Sequence, residues 1–263
     1  MNKDFISAYN IMQHNLRATL KFSAAESLKM SRKLKLLKES QLWGAFKLRG
    51  DKLKVYSIAE LNSLERQPRI NDISLKLLIK YYEAYLYPFV YNYSIGNNEG
   101  REINIELRFD IDNFCHLVGL EYIVTRQVSR NNIYLYKGQA GWNRIKDGYL
   151  DFQELKSINK KRFKSVKEKF VYFYLIPKLI SNPKCIVFDK TKVFPATEIE
   201  CEILFYDTYN NAVVHLGIEK RDKGYYIPRT FLIEKITEYN LGKKYTENQT
   251  IIDVEMKNRI IMQ

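Results

Sequence analysis

The chain has 263 residues, 46% of them apolar, a formal net charge of +13 and a pI of about 9.4. It can fill the core of one large domain, or of a smaller domain with an extension, and its charge favours a polyanionic partner: nucleic acid, ribosome or an anionic membrane surface. Richness in Lys, Asn, Ile and Tyr also follows from AT-rich coding, so charge alone does not choose a partner. The cysteines, Cys115, Cys185 and Cys201, are odd in number and form no CxxC pair, which excludes a disulfide framework or a cysteine zinc site and points to a reducing cytoplasm. With no signal peptide and no apolar run of membrane-spanning length, neither secretion nor membrane insertion is expected.

Residues 1–88 read as a basic helical extension. Phe5, Tyr9, Met12 and Leu16 recur at helical spacing, Leu34, Leu36, Leu37 and Leu42 do so more loosely, and a turn is expected near Gly44 to Lys52. Residues 1–54 carry twelve basic and four acidic side chains, so +8 of the +13 lies there. The cluster is either a solvated helix face or a polyanion-binding surface. Leu75, Leu77, Leu78 and Tyr82 mark a helix over 73–86 that stops before Pro88.

From Phe89 the texture changes, and 89–263 is expected to form the second unit. Val90 to Ile95, a turn over 96–100 and Arg101 to Phe109 predict a β-hairpin, with Ile103, Ile105, Leu107 and Phe109 alternating against polar residues. Asp110 or Asp112 then caps a helix carrying Phe114, Leu117, Val118 and Leu120. Residues 124–150 look irregular, and helices are expected over 151–159 and 166–180, with Lys156, Lys160, Lys161, Arg162, Lys164, Lys167 and Lys169 giving a basic side chain on nearly every turn. Strands follow over 185–188, 198–206, 211–220, 225–233 and 250–256, with turns at 207–210 and 223–224. The order predicts an α+β fold, an antiparallel sheet packed on helices.

No Walker loop, GxGxxG, HExxH or EF-hand loop occurs, and neither a metal nor another cofactor is expected. The chain has three histidines. His14 lies in the basic N-terminal helix and reads as a surface residue. His215, in an apolar strand, reads as a core or sheet-face residue. His116, just past a strand end in the first turns of a helix, is either an ordinary helix residue or a proton-transfer group working near neutral pH. RNA cleavage by the ribose 2′-hydroxyl needs a base, cationic or hydrogen-bonding support for the phosphorane, and an acid for the leaving 5′-oxygen. His116 and the late-strand cluster Tyr226, Arg229 and Thr230 supply such groups. Arg229 can grip phosphate in bidentate fashion, while Lys137, beside Gly138, and Lys161, Arg162 and Lys164 are candidate substrate-binding cations. Aromatic side chains could stack bases, but most occupy apolar positions and read as core.

The run Phe109-x4-Phe114-Cys115-His116-Leu117-Val118-Gly119-Leu120 resembles the NF-x-HL-x-GL motif of the phage and mobile-element barnase–EndoU–colicin–RelE-like nucleases, fourth phage subgroup. Tyr136-Lys137-Gly138, Trp142-x2-Ile145-x2-Gly148, Tyr226-x-Pro228-Arg229-Thr230-Phe231 and Tyr245-x3-Gln249 followed by Ile251 to Glu255 agree with it in order, covering about 95–258. The resemblance implies a compact α+β ribonuclease-like domain and metal-independent RNA cleavage, often as a toxin or in phage conflict. By motif position His116 would be the general acid or base and Thr230 the hydroxyl residue, where Ser is commoner, while Cys115 stands where Pro or a similar residue is expected. The expected partners are RNA or the ribosome, with an antitoxin or inhibitor protein and no membrane. The alternative is a non-catalytic module that binds nucleic acid or protein. Whether His116 and Arg229 share one cleft separates the two.

Overall fold

The computed structural model describes residues 56–96 and 102–262. The expected N-terminal helices, the basic cluster of 1–54 and most of the first hairpin's turn lie outside the described residues. Lys54–Gln263 forms one compact unit. Its elements, in chain order, are α1 (Ile58–Asn62), α2 (Leu75–Tyr85), β1 (Phe89–Gly96), β2 (Glu102–Arg108), α3 (Ile111–Leu117), α4 (Leu120–Val124), α5 (Gly138–Lys146), α6 (Phe152–Tyr172), α7 (Ile176–Ser181), β3 (Lys184–Val187), β4 (Ile203–Tyr209), β5 (Ala212–Lys220), β6 (Tyr226–Lys235), β7 (Thr250–Ile252) and β8 (Val254–Ile261). The class is α+β, as the pattern predicts.

The strands form one eight-stranded sheet in the order β7-β3-β4-β5-β6-β2-β1-β8. Only Asp253 separates β7 from β8, yet these strands occupy opposite edges. A sheet whose two edges are joined by one residue must curl back on itself, and the Gly96 amide donating to the Asp253 carbonyl at 3.0 Å marks the seam. The pairing is antiparallel except between β2 and β6, which meet in parallel through the single pair Leu107↔Tyr226. β2 ends one residue past that point, at Arg108, and β6 packs against α3.

An aromatic chain ties the layers together. The Tyr82 ring of α2 meets Phe109, Phe114 and Trp142 edge-on at 5.5–6.0 Å. Phe114 contacts Phe173 at 5.5 Å, and Phe173 contacts Phe231 of β6 at 6.1 Å. α2 forms because Leu75, Leu77, Leu78, Tyr81 and Tyr82 are buried and the Ser74 hydroxyl accepts from the Leu77 amide at 3.1 Å. It is part of this core, so packed structure extends across the division expected at residue 88.

Four local expectations are revised. The span 124–150 is not irregular: a 3-10 turn over Arg130–Tyr136 leads into α5, whose Trp142 and Ile145 are buried. The two helices expected over 151–180 meet at Asn159, whose non-helical backbone (φ −154°, ψ 91°) breaks α6 while its side chain accepts from the Arg162 amide and restarts it. The strand expected from Glu198 begins only at Ile203, leaving 197–202 as a loop. The last expected strand is two strands on opposite sheet edges.

Candidate active site

α3 is built to present one side chain. Asn113, at its third position, accepts from the Asp110 amide at 2.8 Å and caps the first turn, while the Tyr82 hydroxyl donates to the Asp110 carbonyl at 2.7 Å. Phe114, Cys115, Leu117, Val118 and Leu120 are all fully buried. Gly119 ends the helix in the left-handed region (φ +76°), and a Cβ there would meet Val166 Cγ1 of α6 at 3.3 Å. Between Asn113 and Leu120, His116 alone is exposed. Each of these buried positions thus has a packing task, and the histidine is the one whose side chain stays out of the core.

Opposite it, β6 carries a bulge. Thr230 pairs with Gly217 and Pro228 with Ile218, so Arg229 has no partner across it in β5. A proline is tolerated there because a bulge interrupts the ladder, and bulges re-aim side chains. Arg229 projects into solvent, with Nε 3.4 Å from Glu219. Phe231, one residue past Thr230, locks the strand to Phe173, and Phe173 locks Phe114, two residues before His116. The aromatic chain therefore fixes the spacing between the histidine and the arginine.

A cleft of about 690 Å³ lies between α3, α4, α6, β6 and the 197–200 loop. His116, Glu121, Lys169, Arg229, Thr230 and Tyr245 all line it. A smaller cavity of about 190 Å³ adjoins it, sharing His116, Glu121 and Arg229 and adding Lys137 and Asp112. Upstream of the wall loop, the Gln249 amide accepts from the Asp189 main-chain N–H at 2.8 Å and donates to its carbonyl at 3.0 Å. Glu200 is held by Lys190 at 2.9 Å.

The electrostatics are cationic at the centre. Enclosure by the cleft walls holds the His116 pKa below its ordinary value of 6.5, and the charges of Arg229 and Lys169 add to this. Glu121 and a hydrogen bond to the Arg229 main chain pull the other way. His116 is therefore mostly neutral at pH 7. Lys169 is half-buried and its pKa is pushed down by burial to about 8. Among the described residues no group of three His, Cys, Asp or Glu side chains is placed to hold a metal ion.

The sequence profile of the family described as phage-Barnase-EndoU-ColicinE5/D-RelE like nuclease4 matches residues 76–260, from α2 to the penultimate residue of β8. The chain belongs to this family. No curated protein and no solved structure gave a significant match. Within this nuclease-family domain, His116 and Gly119 stand on the α3–α4 corner, Thr230 on the β6 bulge, Tyr245 at the cleft wall, and Gln249 against Asp189. Cys115 leaves the helix start intact: α3 begins at Ile111 with its cap in place, and the thiol is buried against the Gly138 carbonyl.

His116, Arg229 and Thr230 meet at the cleft, and Lys137 reaches the adjoining cavity, where it pairs with Glu121 at 2.5 Å. Tyr226 does not: it lines neither cavity, and its hydroxyl donates to Glu202. Arg162 is engaged by the protein itself, donating to the Tyr122 and Thr125 carbonyls at 2.8 and 2.5 Å with its guanidinium 4.8 Å from the Tyr122 ring. Lys161 and Lys164 are exposed on α6, outside the lining. His215 is fully buried, 3.2 Å from Glu234 and packed against Tyr206 and Tyr245. Glu121, Lys169 and Tyr245 join the site without having been singled out for it. For Lys169 a signal exists: it sits three residues after the buried Val166 and four before the buried Phe173, on the apolar stripe of a basic helix.

No described helix is long and apolar enough to cross a membrane.

Proposed function

We propose that this protein is a metal-independent endoribonuclease that cleaves RNA by attack of the ribose 2′-hydroxyl on the adjacent phosphate. The observation that carries the reading is the convergence of His116 and Arg229 on one cleft, which favours it over a binding module. His116, neutral at pH 7, takes the 2′-hydroxyl proton. Arg229 grips the non-bridging phosphate oxygens, and the Thr230 hydroxyl donates a hydrogen bond to the phosphorane. Lys137 and the exposed Lys161 and Lys164 attract the flanking phosphates.

Its setting is the cytoplasm, as a toxin or phage-conflict effector acting on RNA or the ribosome and restrained by an inhibitor protein. The full chain, incubated in EDTA with an RNA oligonucleotide and with DNA of the same sequence, should cleave only the RNA and leave 2′,3′-cyclic phosphate ends. Cleavage of both, or 5′-phosphate ends, contradicts attack by the 2′-hydroxyl.

A further inference from the structure

The cleft holds a second proton-carrying group. The ionisable groups facing it are His116 from α3, Glu121 and Tyr122 from α4, Lys169 from α6, Arg229 from β6, Glu198 and Glu200 from the wall loop, and Tyr245. Glu121 is bound to Lys137, Glu200 to Lys190, Arg229 lies beside Glu219, and Glu198 is exposed on the loop, its charge acting on Lys190. Lys169 differs. Its stem passes Gly119, its side chain lines the cleft, and among the described residues it has neither an ion pair nor a hydrogen bond. A half-buried ammonium without a counter-charge is costly, and an anion entering the cleft removes that cost. The phosphodiester is such an anion.

On the reading of the cleft as a ribonuclease site, we propose that Lys169 is the general acid, delivering its proton to the leaving 5′-oxygen while His116 takes the proton of the 2′-hydroxyl. In this step the O2′–P bond forms and the P–O5′ bond breaks. The 2′-hydroxyl proton passes to His116, and a proton from Lys169 Nζ completes the 5′-hydroxyl. Re-equilibration with water returns both side chains to their starting states.

The other lining groups serve less well. A guanidinium is a poor proton donor in catalysis, which sets Arg229 aside. The Tyr245 hydroxyl is made a weaker acid by burial and by Glu234, and the Glu200 carboxyl is held ionised by Lys190. Lys169 and His116 also differ in environment in the sense that separates an acid from a base: at pH 7 the lysine is charged and the imidazole neutral.

The test compares an RNA oligonucleotide with the same oligonucleotide carrying one 5′-bridging sulfur at the cleaved position, whose thiolate leaves without a proton. Lys169→Arg keeps the charge but cannot give up a proton. It should cleave the all-oxygen RNA about a hundredfold more slowly, with KM within about threefold of wild type, and cleave the sulfur substrate within about threefold of the wild-type rate. Lys169→Met, close in length, tests the same rescue if arginine is too large for the wall. It should be rescued in kcat and weakened in KM. His116→Ala should be slow on both substrates. Wild-type speed of both lysine variants on all-oxygen RNA, or equal slowing on both substrates, overturns the assignment while leaving the ribonuclease reading intact. Failure of the folded wild type to cleave RNA overturns both.

Discussion

Gly217 faces Thr230 across the β5–β6 ladder, and a Cβ there would lie 2.6 Å from Thr230 Cγ2, 2.8 Å from Cys201 Sγ and 2.9 Å from Cys201 Cβ. Each contact is shorter than a methyl group tolerates, so Gly217→Ala must push Thr230 and Cys201 outward. Overpacking of this kind costs about 1–3 kcal/mol. For a unit of this size, about 2 kcal/mol lowers Tm by roughly 4–8 °C. Because Thr230 sits on the bulge that aims Arg229, cleavage should fall as well, by about tenfold or more. Thr230→Ser deletes Cγ2 and keeps the hydroxyl, so the double variant should recover about 1 kcal/mol relative to the sum of the single changes. Calorimetry on the four proteins, with the RNA assay alongside, reads both effects. Wild-type stability of Gly217→Ala, or strict additivity with Thr230→Ser, refutes the account of how the strand pair holds the bulge.

Four further outcomes follow from the same geometry. Phe173→Ala removes the ring linking α3 to β6 and should cost about 3–5 kcal/mol, measured by urea denaturation; a loss below 1 kcal/mol contradicts its place in the core. Arg229→Gln removes a positive neighbour and should raise the His116 pKa toward 6.5 in an NMR titration, so that the acid limb of the pH–rate profile, which rises as the base loses its proton, moves to higher pH; an unchanged or lower pKa contradicts the electrostatic account. His215→Phe should destabilise the fold by about 1–3 kcal/mol through the partner lost to Glu234, yet leave kcat within a few-fold of wild type; a hundredfold loss of kcat in a folded variant would make His215 a second catalytic histidine. Arg162→Met should lower Tm while leaving the salt dependence of RNA binding in place, whereas Lys161→Ala with Lys164→Ala should flatten that dependence with little change in Tm; the reverse pattern would return Arg162 to the RNA surface.

Much of this architecture is legible in local pattern. Period-2 alternation marks β2, apolar runs bounded by turn residues mark β1, β5 and β6, apolar spacing marks α2 and α3, and the single exposed histidine of α3 follows from the burial of its neighbours. What could not be read depends on distant contacts. α5 reads as irregular because Gly138 and Gly141 weaken its helical pattern, and it forms because Trp142 and Ile145 find the α2–α3 core. The separation of β7 from β8 is set by the curl of the sheet, to which one residue of sequence gives no clue. Tyr226 and Arg229 lie three apart on one strand, and only the bulge and the Leu107↔Tyr226 pair decide which of them faces the cleft. Arg162 looks like its lysine neighbours until the carbonyls that end α4 are seen beside it. Lys169 is hidden by the same charge run, since spacing marks its stripe but not the missing counter-ion.

The most direct test of the central claim is cleavage of total cellular RNA in EDTA by the purified full chain, wild type beside His116→Ala, with both proteins shown to be folded by circular dichroism. The account predicts cyclic-phosphate-ended cleavage by wild type and a loss of about a hundredfold or more in the variant. Equal cleavage by the two removes His116 from the mechanism, and RNA binding without cleavage by either makes the cleft a binding site.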